Sequence, residues 1–83
     1  MDDMTSSVAD HESLTEAVAR RLRGQLAERR ITQKRFQEMT GWGRMYVYRR
    51  LTGEKALDTA ELQLIEEAAG IPVARLLADK PVG

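Results

Sequence analysis

Eighty-three residues allow one compact domain with a modest core and leave no room for two. The absence of cysteine excludes a disulfide framework and a cysteine-ligated zinc site, and no run approaches the ~18 consecutive apolar residues of a membrane span. The formal net charge of zero hides a polarity: from Arg20 to Lys55 eleven Lys/Arg stand against three acids, an excess of +8, and the remainder of the chain is equally negative. A segment so basic attracts polyanions; the plain alternative is a solvated basic face with no partner. The N-terminus is acidic and polar with no apolar stretch of signal-peptide type, so a cytoplasmic, nucleoid-associated location is expected.

Residues 1–12 are polar, acidic and aperiodic, and read as a disordered tail in which His11 is solvated rather than a ligand. Order is expected from Ser13, because Ser13 and Glu16 have the spacing of a capping box. Leu14, Val18, Leu22 and Leu26 then recur every four residues, with Ala17 widening the stripe, which predicts an amphipathic helix ending near Arg29 or Arg30. Gly24 inside it is either a tolerated surface glycine or a point of close helix approach. Thr32 is placed to cap a short second helix from Gln33 to about Thr40, with Phe36 and Met39 facing inward and Gly41 as the left-handed residue after it.

A third helix is expected from Arg44 to about Leu51, with Val47 and Leu51 inward and Gly53 closing it. Asp58 and Glu61 repeat the capping spacing for a fourth, Thr59 to Ala69, whose core face is Leu62, Ile65 and Ala69 and whose end is Gly70. Pro72 suits the first turn of a short fifth helix packed through Val73, Leu76 and Leu77. Residues 79–83 read as a frayed end, and 13–78 as the folded domain. The expectation is an all-α chain of five helices with no strand and no internal repeat.

Two short helices joined by a glycine turn inside such a domain have the pattern of a helix-turn-helix. In that device one helix crosses the phosphate backbone and the next enters the major groove, which is wide enough for a single helix. The residues that carry a resemblance are Ile31-Thr32-Gln33-Lys34-Arg35-Phe36, Gly41-Trp42-Gly43-Arg44-Met45-Tyr46-Val47 and Leu51-Thr52-Gly53-Glu54, continued by Leu62, Ile65, Ala69, Gly70-Ile71-Pro72 and Leu76-Leu77. Over roughly residues 14–78 the chain resembles the Cro and phage-repressor type of helix-turn-helix, the XRE family. The run Tyr46–Glu54 looks most like repressor-like regulators of actinobacteria and their phages.

The resemblance implies a compact five-helix, lambda-repressor-like DNA-binding domain whose helix-turn-helix is formed by helices 2 and 3. It puts Arg44, Met45, Tyr48 and Arg49 at the base-reading positions of the third helix. Gln33 falls where the family has a phosphate-contacting glutamine, and Thr52 and Lys55 where the following loop meets phosphate. Lys34, Arg35 and Arg50 are further candidates for phosphate contact. Gln37, Gly43 and Arg50 depart from the family's usual small residue, hydroxyl cap and apolar residue. Trp42 is expected in the core; Tyr46 is divided between packing and phosphate contact.

The function expected is a sequence-specific regulator binding a double-stranded DNA operator, of phage-repressor or Cro-like type, with weak homodimerisation through the fifth helix. A toxin-neutralising antitoxin on the same fold, and a helical adaptor that has lost DNA binding, are the alternatives. An enzyme is not expected, since residues 13–78 contain neither histidine nor cysteine and no carboxylate pair suited to acid–base work. No cofactor, metal, membrane or small-molecule ligand is implied.

Overall fold

The structure is a computed structural model that describes residues 12–78. The tail expected over 1–12 and the end expected over 79–83 lie outside it, apart from Glu12, whose carboxylate meets the Arg20 guanidinium at 2.8 Å. Among the described residues five helices form: α1 Leu14–Glu28, α2 Gln33–Thr40, α3 Arg44–Thr52, α4 Thr59–Ala69 and α5 Val73–Leu77. No strand occurs among the described residues, so the all-α reading holds. Pro72 sits one position ahead of α5, as its N-cap, instead of inside the first turn.

The helix ends follow from local chemistry. Ser13 accepts from the Glu16 amide at 3.0 Å while Glu16 accepts from the Ser13 amide at 3.0 Å, closing the capping box of α1. Asp58 and Glu61 close the same box for α4, at 2.8 and 3.0 Å. The end of α1 is a Schellman motif, with Ile31 N–H donating to Leu26 O at 2.9 Å and Arg30 N–H to Ala27 O at 3.1 Å. Its left-handed position, usually glycine, is held by Arg30 at φ 57°.

The helices pack as α1 against α3 and α5, α2 against α3 and α4, and α4 against α5. Val18, Leu22 and Leu26 of α1 meet Phe36, Val47, Leu51, Leu62, Ile65, Ile71 and Leu76 in one core, with Ile31, Trp42, Leu57, Ala69 and Val73 packed on its edge. Three side chains assigned inward by periodicity lie elsewhere. Leu14 is 68% exposed: in the first turn of α1 it lines the rim of an open apolar groove with Leu57, Leu62 and Leu77 and is not covered by them. Leu77 is half exposed beyond the buried Leu76, and Met39 is half-buried. Gly24 is exposed, and a Cβ there would meet nothing within 4 Å, so it is a surface glycine and not a point of close approach. Gly53 is that point instead: at φ 84°, its Cβ would lie 3.4 Å from the Glu16 Cα.

Candidate nucleic-acid interface

The turn between α2 and α3 is fixed by backbone chemistry first. Thr32 caps α2 by accepting from the Arg35 amide at 3.1 Å, and Gly41 leaves the helix at φ 79°. Thr40 then donates its hydroxyl to Phe36 O at 2.8 Å and accepts the Trp42 amide at 3.2 Å, holding the reversal between the helices. Trp42 stands edge-on to Phe36, centroids 6.0 Å apart, and tilts over Tyr46 at 4.9 Å. It therefore packs against the core, as expected. Gly43 begins α3 without a side-chain cap.

With Val47 and Leu51 buried, the opposite side of α3 is open. At about 100° per residue, Met45, Tyr48, Arg49 and Thr52 fall within an arc of about 100°. Met45 is 52% and Tyr48 48% exposed, and Arg44 and Arg49 are exposed beside them. Gln33, Lys34 and Arg35 are exposed on the first turn of α2, and Thr52 and Lys55 in and after the last turn of α3. The Arg35–Glu38 and Arg49–Glu54 ion pairs, at 3.3 and 4.0 Å, are solvent-facing contacts of the kind that contributes little and yields easily to phosphate. Nine of the ten residues singled out from the sequence are thus accessible, on α2, α3 and the loop that follows.

Arg50 is the exception and corrects the reading that gave it a phosphate. It is 9% exposed and turned toward α4, where Nη2 meets Glu61 Oε2 at 3.0 Å and Nε meets Oε1 at 3.3 Å. Its third arm donates to Tyr46 O at 3.3 Å, and its guanidinium carbon stacks 3.5 Å from the Tyr46 ring centre. A residue three after the buried Val47 and next to the buried Leu51 lies on the inward half of the helix, so its charge must be answered inside the protein. Glu61 answers it. The same carboxylate accepts the Tyr46 hydroxyl and the Asp58 amide, so both its oxygens are doubly used.

Burial alone would raise the Glu61 pKa, but the hydrogen bonds from Tyr46, Arg50 and the Asp58 amide, with the Arg50 charge, outweigh it and hold the carboxyl below its usual range. The Tyr46 hydroxyl is pushed up, chiefly by its hydrogen bond to Glu61 and then by burial. Tyr46, 38% exposed, therefore has its partners within the protein, in Trp42, Arg50 and Glu61. Sequence reasoning saw Glu61 only as a capping residue; the available signal was a charged residue, Arg50, at a helical position otherwise apolar.

The basic excess also divides. Arg21 donates to Leu76 O at 3.3 Å, Arg23 to Leu51 O, and Arg29 to Gly70 O at 3.4 Å. These arginines, two on α1 and one at its C-cap, serve carbonyls at or just past the ends of α5, α3 and α4, where cations complement the helix dipole. So the +8 segment is not one reading surface: part of it holds the bundle together, Arg20 pairs with Glu12 on the flank of α1, and Lys34, Arg35, Arg44, Arg49 and Lys55 are carried outward on α2, α3 and the following loop.

No helix among the described residues is long and apolar enough to cross a membrane. No curated protein and no solved structure gives a significant match to the chain. A family model described as helix-turn-helix matches residues 18–76, which spans α1 from Val18 through Leu76 of α5 and is well over half of the sequence. That family is one of DNA-binding regulators and not of enzymes. Motif, five-helix frame and match coincide on the same residues: the chain belongs to the XRE-type helix-turn-helix family.

Proposed function

We propose that this protein is a sequence-specific double-stranded DNA-binding regulator of phage-repressor or Cro-like type, which acts by laying α3 in the major groove. One observation carries the reading: Val47, Arg50 and Leu51 are taken up by packing and the Glu61 clamp, while Met45, Tyr48 and Arg49 face outward on α3 and Arg44 is exposed at its first turn. An arginine so placed is suited to the O6/N7 edge of guanine, and Met45 or Tyr48 to a thymine methyl or a sugar. Gln33, Lys34, Arg35, Thr52 and Lys55 supply phosphate contacts that set register without choosing sequence.

An adaptor would present apolar residues where Arg44 and Arg49 stand, which weighs against that alternative. Self-association through α5 has a physical basis in Leu77, half exposed beside Leu14 at an apolar groove of about 200 Å³ to which neither α2 nor α3 contributes. The test is a mobility-shift titration across salt with duplexes enriched from a random pool. The reading requires log affinity to fall linearly with log salt, by ~0.9 per phosphate neutralised. Binding that ignores salt, or no enrichment of any sequence, would end it.

A further inference from the structure

We propose that Glu61, on α4, is a positioning residue for base recognition: it sets the rotation of α3 about its own axis and so decides which side chains reach the groove. The inference rests on the DNA-binding reading of α3. Its physical ground is the difference between the two kinds of contact that hold that helix. Val47 and Leu51 pack in the core through apolar contacts, which are non-directional and tolerate small shifts. Arg50 and Tyr46, four residues apart on one flank of α3, are instead tied to a single carboxylate by directional bonds.

That carboxylate is itself fixed. Its Oε1 caps α4 through the Asp58 amide at 3.0 Å, and Leu62 and Ile65 seat the same helix in the core. Rotation of α3 must therefore break the fork with Arg50, the Tyr46 hydroxyl bond, or the cap of α4. The lever is short. At the ~5–6 Å radius of a helix with its side chains, a turn of about 10° carries a side-chain tip about 1 Å. The useful range of an N–H···O bond is only about 0.5 Å, so such a turn is enough to lose a base contact. Since Arg50 also stacks on Tyr46 and Tyr46 lies against Trp42, the clamp extends through the aromatic pair to the turn that joins α2 to α3.

A purely structural ion pair would stabilise the fold and leave the choice of sequence alone, and the two roles separate in one experiment. The double variant Arg50→Met, Glu61→Leu replaces the clamp by apolar contact of similar volume. Its affinity is measured for a duplex enriched by the wild type from a random pool and for a scrambled duplex of equal length, beside thermal unfolding by circular dichroism. The expected result is a folded protein whose specific-to-scrambled ratio falls by about tenfold or more, the worth of one lost bidentate contact. Affinity for the scrambled duplex should change by no more than about twofold, because the phosphate contacts lie elsewhere.

If the double variant does not fold, Glu61→Gln is read in the same way, since its amide oxygen still accepts from the Asp58 amide while the charge for Arg50 is gone. A folded variant that keeps the wild-type ratio, or loses both affinities in equal proportion, overturns the positioning role. A wild type that enriches no sequence ends the DNA reading and the positioning role together. A wild type that enriches a sequence which the double variant reads equally well ends the positioning role alone.

Discussion

Replacing Arg50 by methionine should destabilise the domain far more than its place on a DNA-binding helix would suggest. Methionine keeps much of the length and apolar stem and removes the charge. Glu61, 8% exposed, is then left as a buried carboxylate without its cation. Breaking a buried pair by removing one partner costs about 3–5 kcal/mol. Here the Tyr46 hydroxyl and the Asp58 amide continue to donate to the carboxylate, so a loss of about 2–3 kcal/mol at pH 7 is expected. For a domain of this size that corresponds to a fall in Tm of roughly 10–20 °C by circular dichroism.

The pH dependence gives a second handle. The Glu61 pKa is depressed in the folded protein, so its contribution is present above the ordinary glutamate value and is lost as the pH falls through the folded value. The gap in stability between wild type and Arg50→Met should therefore narrow as the pH drops below about 4. A variant within a few degrees of wild type at pH 7, or a gap independent of pH, would refute the account of Arg50 as a buried, paired charge.

Further substitutions test the backbone and the tyrosine. Gly24→Ala should stabilise by up to about 1 kcal/mol in urea denaturation, since the site is helical and open. Gly53→Ala should destabilise by more than about 1 kcal/mol, from its positive φ and the approach of Glu16; equal effects at the two glycines would contradict the packing described. Arg30→Gly should gain roughly 0.5–1 kcal/mol by relieving a left-handed arginine, and a loss would show that the Arg30 side chain matters more than its φ. The Tyr46 pKa is raised, so its contribution is complete below the ordinary tyrosine value and is lost as the pH rises through the folded one. Tyr46→Phe should accordingly flatten the alkaline limb of the stability profile, as followed by Trp42 fluorescence.

What the sequence disclosed was local. Ser13 with Glu16, Asp58 with Glu61, and the glycines at 41, 53 and 70 act within a few residues of themselves, so the five helices and their order could be read directly. The exposed candidates on α2 and α3 could be read too, because 3.6-residue periodicity separates Met45, Tyr48 and Arg49 from Val47 and Leu51. What escaped depends on distant partners. Whether Leu14 is covered depends on where α5 ends, and whether Arg50 turns inward depends on a carboxylate eleven residues on. Arg21, Arg23 and Arg29 looked like part of one basic surface because nothing in their spacing reveals the carbonyls at Leu76, Leu51 and Gly70 that they reach.

The claim that the outward face of α3 reads DNA is tested most directly by comparing Arg44→Ala, Arg49→Ala and Lys34→Ala on an enriched duplex and on its scrambled counterpart at one salt concentration. The account predicts that the two α3 variants lose at least about tenfold on the enriched duplex and far less on the scrambled one. Lys34→Ala should weaken both alike, as a phosphate contact does. Equal losses on both duplexes from all three variants would contradict it and place the reading surface elsewhere.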